Sequence, residues 1–242
     1  MPVFRLGKEP VFPPVELANP DGLVAVGGDL SVTRLLNGYR CGVFPWYSSQ
    51  TPILWWAPDP RLVLFPKEVH VSKSMRRILN QRIFSLTFDR EFRAVIENCA
   101  RSRRGQEGTW ITGDMRAAYL ELHRRGYAHS LEVWRDADLV GGLYGVSLGR
   151  CFFAESMYHR AANASKFALI RLGQLLEQRG FSFIDCQIPN DHIKSMGARE
   201  ISRREFMGHL EEALNHPSLT GDWQSVFTTG IPSNGRDASG RD

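Results

Sequence analysis

Three stretches of the chain carry side chains whose types and spacing suit chemistry. In "FFAESMYHRAANASK", Glu155 stands among apolar and small neighbours at a strand end that runs into a helix start. A carboxylate so placed either pairs with a cation or meets a ligand's amine, because an unpaired buried charge is costly. Arg160 and Lys166 are the cations that would satisfy it structurally. In "IDCQIPND", Asp185 and Gln187 are two residues apart and would face one side of an ideal strand. A carboxylate beside an amide can hold that amide in one orientation, leaving its carbonyl as an acceptor for a proton-bearing nucleophile. The same pair also reads as a buried polar closure of the strand end. Cys186 faces the other way with no histidine beside it, which argues against a thiol nucleophile.

The third stretch, "FPWYSSQTPILWWAPDP" over residues 44–60, packs three tryptophans and four prolines into one segment. Proline breaks helix and strand patterns alike, so the segment reads as a loop. Its indoles form either a stacking platform for a flat ligand or a small packed core. Basic residues recur on helices, at Lys73, Arg76, Arg77 and Arg82, at Arg101, Arg103 and Arg104, at Arg124 and Arg125, and at Arg199, Arg203 and Arg204. Each group alone reads as a solvated face. Together with exposed indoles they are the ingredients of a binder of single-stranded nucleic-acid ends, where a stacked base contributes about 1–3 kcal/mol.

These side chains need elements to hold them. With 242 residues, 43% apolar and 23% charged, the chain can bury a sizeable core in one large domain or two. A formal net charge of +4 permits an anionic partner without demanding one. No apolar run approaches the roughly 20 residues of a membrane span, and the start has no signal-peptide pattern. Cys41, Cys99, Cys151 and Cys186 show neither CxxC nor metal-ligand spacing, as expected of reduced thiols in a cytoplasmic protein. The glycines of "GGLYG" (141–145) sit inside strands and read as bulges or close backbone approaches, and "YHRAAN" contains no glycine to cradle a phosphate.

The first sixty residues, dense in Pro, Gly, Asn and Asp, read as a small irregular module with one helix opened by Ser31 or Thr33. Beyond "RLVLFP" the pattern predicts helices over "SKSMRRILNQ", "REFRAVIENCAR" and "TGDMRAAYLELHRRG", and a strand over "FSLTFD". Two or three antiparallel strands follow in "HSLEVWRDADLVGGLYGVSLGRCFFAESMY", turning tightly at Asp136–Asp138. Then come a helix in "NASKFALIRLGQLLEQRG", a strand in "FSFIDCQ", a short helix capped by Asn190 or Asp191, and a last helix in "SRREFMGHLEEAL". The polar tail from Thr228 reads as disordered.

In this order "GGDLS", "GVFPW", "ILWWAPDPR", "EGTWIT", "AHSLEVW", "LVGGLYGV", "ESMYHRAANASK" and "IDCQIPNDHIKSMGA" occur, and over residues 3–215 the chain resembles the bacterial leucyl/phenylalanyl-tRNA–protein transferases. The resemblance implies an α+β chain: a small N-terminal domain (1–60), a GNAT-like acyltransferase domain (61–227) and a flexible tail (228–242). It implies transfer of leucine or phenylalanine, and less well methionine, from aminoacyl-tRNA to proteins beginning with Arg or Lys, which marks them for degradation under the N-end rule. Trp46, Trp110 and Asn190 would hold the terminal adenosine. Leu143, Phe152, Met157, Leu169, Leu172 and Ile184 would line the donor side-chain pocket. Glu155 would contact the donor α-amine, Asp185 would fix Gln187 near the ester, and Lys73, Arg76, Arg77 and Arg82 would track the acceptor stem. Asp185 is also expected to favour a cationic acceptor. Trp55 and Trp56 would pack the small module onto the large domain.

No cofactor or metal is expected, since an aminoacyl ester is already activated, and the protein is expected to act as a monomer away from membranes. Two competing readings are a GNAT acetyltransferase using acetyl-coenzyme A, against which the glycine-free loop argues, and a non-catalytic RNA-binding protein, which leaves Glu155, Asp185 and Gln187 unexplained.

Overall fold

The computed structural model describes residues 3–102 and 110–227. The expected tail over 228–242, together with Arg103 and Arg104, lies outside the described residues. In chain order the elements are β1 (Phe4–Leu6), β2 (Leu23–Gly27), α1 (Val32–Arg40), β3 (Phe44–Pro45), β4 (Leu54–Trp56) and β5 (Arg61–Leu64). Then follow α2 (Lys73–Gln81), β6 (Ser85–Phe88), α3 (Phe92–Ser102), α4 (Gly113–Arg124), β7 (Ala128–Arg135), β8 (Asp138–Leu148) and β9 (Cys151–His159). The chain continues through α5 (Ala164–Gln178), β10 (Phe183–Gln187), α6 (Asp191–Lys194), β11 (Arg199–Ile201), α7 (Arg203–Leu214) and α8 (Trp223–Phe227).

The mixed α/β class and the order of α2 to α7 follow the sequence pattern, whereas β5, β11 and α8 are additional short elements that it does not predict. The expected caps form: Ser31, Thr112 and Asn190 accept the backbone N–H of Arg34, Met115 and Ile193. Each satisfies an N–H that the helix itself cannot. The irregular N-terminal module is a correction, because those residues form a four-stranded sheet in the order β1-β2-β4-β3. Its strands are two to five residues long and are broken by glycine and proline, too short for a period-2 pattern to show. Trp55 and Trp56, taken for loop residues, lie on β4 and pair with β2 and β3.

The larger sheet runs β11-β5-β10-β9-β8-β7-β6. Its pairs are antiparallel except β9 with β10, which the crossover helix α5 joins in parallel. The parallel register runs Phe183↔Cys151, Ile184↔Phe152 and Asp185↔Phe153, and there it ends. Beyond it both strands are irregular. On β9, Ala154 and Ser156 pair with Gly145 and Tyr144, leaving Glu155 as an extra residue. On β10, Asp185 and Gln187 pair with Val63 and Leu62, leaving Cys186 as the extra residue. Such bulges bend a strand and re-aim its side chains. Two of them side by side part the one parallel pair of this sheet among the described residues.

One apolar cluster continues from the small sheet and α1 (Val24, Trp55, Leu35) into the face of the large sheet that carries α3 and α4 (Phe92, Met115, Phe153). The opposite face buries α5 through Phe167, Ala168, Leu172 and Leu176. A Cβ at Gly141 would lie 2.7 Å from the Ala164 Cβ, so glycine lets the first turn of α5 approach β8.

Candidate active site

Where β9 and β10 part, the sheet opens into a cavity of about 300 Å3. Its apolar wall comes from Phe44, Leu143, Ala154, Met157, Leu169 and Ile193, its polar lining from Glu155, Ser156, Gln187 and Asn190, and Trp46 and Trp110 also face it. Three of the six residues expected of the apolar pocket are therefore there. Phe152, Ile184 and Leu172 are not; each is 0–1% exposed and packed in the core between α5 and the sheet. Phe152 and Ile184 are paired with each other in the closed part of the parallel ladder, so only residues beyond that pair reach the opening. Ile193 and Phe44 take their places, and neither is marked in sequence by anything but hydrophobicity.

Among the described residues Glu155 forms no ion pair with Arg160, Lys166 or any other cation. Its Oε1 accepts the Tyr39 hydroxyl at 2.7 Å and its Oε2 accepts the Tyr119 hydroxyl at 2.9 Å. The two hydroxyl oxygens also touch each other, so their two protons are shared among three hydrogen-bonding pairs. Gln187 Nε2 donates to Glu155 Oε1 at 3.0 Å. Burial pushes the Glu155 carboxyl up to about 7, against the downward pull of the hydroxyls of Tyr39 and Tyr119. Burial, and then the charge of Glu155, holds both phenols well above their ordinary value. Tyr39 stands on α1 and Tyr119 on α4, so one carboxylate gathers the small module, a helix and the sheet.

Asp185 is placed differently from the expectation. It is 0% exposed and outside the cavity lining. Its oxygens accept Arg61 Nε at 2.9 Å and Nη2 at 2.6 Å, a bidentate buried pair. The Arg61 guanidinium also lies over the rings of Phe44 and Phe206 and donates to the Gly42 carbonyl. With its charge matched and its surface covered, Asp185 does not meet a cationic acceptor. Nor does it hold the Gln187 side chain; Oδ1 accepts the Gln187 backbone N–H at 2.9 Å. Gln187 has φ +65°, left-handed backbone unusual for such a residue, and that hydrogen bond restrains it. A carboxylate does orient the glutamine amide, but it is Glu155. An ionised carboxylate only accepts, so the amide nitrogen must face it and the carbonyl oxygen is left to bind elsewhere.

The bulge also turns Cys186 toward the cavity, against the expected opposite face. Burial, then the charge of Asp185, pushes its thiol far up, so it stays neutral. Cys41, Cys99, Cys151 and Cys186 form no disulfide among the described residues. Ser156, adjacent to Glu155 and missed in the sequence reading, lines the cavity with its hydroxyl unpartnered.

The tryptophans divide. Trp46 is 41% exposed at the cavity. Trp55 is 0% exposed, donates to the Gly27 carbonyl and packs edge-on against Phe12 at 4.7 Å. Trp56 supports Trp46: its indole N–H donates to the Trp46 carbonyl at 2.7 Å and the rings meet edge-to-face at 5.9 Å, while Trp56 also packs against the cluster that joins the two sheets. Tyr47 and Thr112 join hydroxyl to hydroxyl at 3.3 Å, tying the segment that bears Trp46 to the one that bears Trp110. Trp55→Ala is therefore expected to lower stability by about 3–5 kcal/mol, read by urea unfolding. Trp46→Ala should leave stability within about 1 kcal/mol and instead weaken capture of a stacking ligand by about 1–3 kcal/mol. Equal loss of stability in both variants would remove the distinction.

Lys73, Arg76 and Arg77 are exposed on α2, with Arg82 at its C-cap. Arg76 lines an open groove with Lys67, His70, Asn80 and Gln174 of α5, separate from the cavity.

The sequence matches the family described as "Leucyl/phenylalanyl-tRNA protein transferase" over residues 63–211, and that family's N-terminal domain over residues 28–59. Curated relatives called leucyl/phenylalanyl-tRNA–protein transferase are similar over nearly their whole length. The protein from Syntrophus aciditrophicus is 58% identical over 93% of this chain and 95% of its own. Those from Syntrophobacter fumaroxidans and Pseudomonas fluorescens are 59% and 54% identical, covering 95% and 88% of this chain and 99% and 95% of their own.

Proposed function

This chain belongs to the leucyl/phenylalanyl-tRNA–protein transferases, aminoacyltransferases that use aminoacyl-tRNA, and from that premise we propose how the cavity carries the reaction. The observation that bears most weight is a single opening with indoles, an apolar wall and a hydrogen-bonded carboxylate–amide pair. The terminal adenosine sits between Trp46 and Trp110, with Asn190 beside it. The leucyl or phenylalanyl side chain, and less well methionyl, enters the wall of Leu143, Met157, Leu169 and Ile193. Glu155 takes the donor α-amine. The acceptor stem runs over Lys73, Arg76, Arg77 and Arg82.

The acceptor is the α-amine of a protein beginning with Arg or Lys. With a pKa of about 7.7–8.0, on the order of a tenth of such amines is neutral at pH 7. The neutral nitrogen attacks the ester carbonyl carbon, a C–N bond forms, and the C–O bond to the ribose breaks. The amine proton ends on the departing ribose hydroxyl. The Gln187 carbonyl accepts an N–H of the attacking amine and aims it, since glutamine is too weak a base to keep the proton. Positioning of this kind can supply several kcal/mol of the barrier. The product carries a destabilising N-terminus and enters degradation; free thiols and an RNA substrate suit the cytoplasm, and the enzyme acts as a monomer.

Mixing radiolabelled Leu-tRNA with a peptide beginning in Arg should give a Leu-Arg peptide bond. No transfer from Leu-tRNA, with acetyl transfer from acetyl-coenzyme A instead, would overturn the reading; RNA binding without transfer would leave a non-catalytic binder.

A further inference from the structure

Three basic side chains, on three elements, stand close in sequence to residues that line the cavity. His159 closes β9 two residues after the cavity-lining Met157, and so shares its face. Its Nδ1 lies 3.2 Å from Ser165 Oγ in the first turn of α5. Lys166 follows, three residues before the cavity-lining Leu169 and on the same side of that helix. His192 stands on α6 between Asn190 and Ile193, which both line the cavity. Arg61 and Lys194, by contrast, are matched by Asp185 and Glu200. His159, Lys166 and His192 form no ion pair among the described residues.

The geometry points to a phosphate-binding site: His159, Lys166 and His192 receive the phosphodiester that joins the terminal adenosine of the donor RNA to the nucleotide before it. This rests on the donor reading above. The anion belongs at the lip because the cavity behind it is apolar and holds the Glu155 carboxylate. Burial first, then repulsion from Lys166 and His159, keeps the His192 imidazole below its usual range, a repulsion that an anion among the three relieves. The start of α5 adds to the field: its N-cap Asn163 makes no side-chain cap bond and its first turn holds no acidic residue.

The test compares two donors that differ only in that charge: leucylated cytidylyl-adenosine with its natural diester, and the same dinucleotide with a neutral methylphosphonate linkage. The wild-type protein should show a kcat/KM at least about tenfold higher for the charged donor. In Lys166→Ala and His192→Ala that ratio should fall toward one, and in Lys166→Arg it should be largely retained. Because the ratio is taken within one protein, loss of folded fraction cancels from it. Equal use of both donors by wild type, or a ratio unmoved in both alanine variants, overturns the phosphate site alone. Absence of transfer from either donor by wild type, and from Leu-tRNA, overturns the aminoacyl-transfer reading and the site with it.

Discussion

Glu155→Ala is expected to lower leucyl transfer from Leu-tRNA by at least about a hundredfold, the scale seen when one group fixed on a reacting centre is removed. Three donors converge on this carboxylate, from Tyr39, Tyr119 and Gln187, and all are buried. Alanine leaves the donor amine without its anion and frees the Gln187 amide to turn. Glu155→Gln keeps the shape but brings an N–H among groups that all donate, so one of them must rotate away.

The same carboxyl predicts two pH signatures. Burial raises it from its ordinary 4.5 to about 7, so between those values the folded protein holds a proton that the unfolded chain has released. Its contribution to stability is fully present below about 4.5 and is lost as pH rises through about 7. Urea unfolding at pH 4.5 and pH 7.5 should show a decline in wild type that is smaller in Glu155→Gln. For the donor, kcat/KM at saturating acceptor should be bell-shaped, with an acid limb near 7 from Glu155 and a basic limb near the ~7.7–8.0 of the donor ammonium. The acid limb should vanish in Glu155→Gln. Parallel stability curves together with an unchanged limb would show that the titration belongs to another group.

Much of the scaffold was legible because the signals were local. A Thr112 or Ser31 cap, the apolar face of Phe92, Val95, Ile96 and Cys99, and the turn at Asp136 are each set within a few residues. The chemistry-bearing types were legible for the same reason: Glu155 and Gln187 stand out as polar residues among apolar strand neighbours, although Glu155 lies in the middle of β9 and not at the strand end expected of it, and only Gln187 closes its strand. Their partners were not. Arg61 lies 124 residues from Asp185, and Tyr39 lies 116 residues from Glu155, with nothing local to announce either contact. Two bulges, each a mismatch of one residue between paired strands, decide which side chains face the cavity. That is why Asp185 was expected in the site and Cys186 outside it, and why Phe152 and Ile184 were expected to line an opening that starts just beyond them.

Asp185→Ala should strike both stability and catalysis, and the two losses can be separated. It strands the Arg61 guanidinium, 1% exposed, at an expected cost of about 3–5 kcal/mol. That is a large share of the roughly 5–15 kcal/mol that holds a folded domain. It also removes the acceptor of the Gln187 backbone N–H, which steadies a non-glycine residue at φ +65°. Replacing the whole pair, Arg61→Met with Asp185→Leu, removes the stranded charge and should recover most of the stability, because apolar substitutes for a buried ion pair are often neutral or better. It does not restore the acceptor. Transfer should then stay depressed by about a hundredfold, the effect of a reacting group displaced by about 1 Å, with kcat falling more than donor KM rises. Asp185→Asn makes the opposite trade: the amide oxygen still accepts the Gln187 N–H, so it should lose stability yet retain more kcat than the stable double variant. If the double variant regains activity along with stability, Asp185 acts only as the counter-charge of Arg61, and the Gln187 backbone needs no such hold.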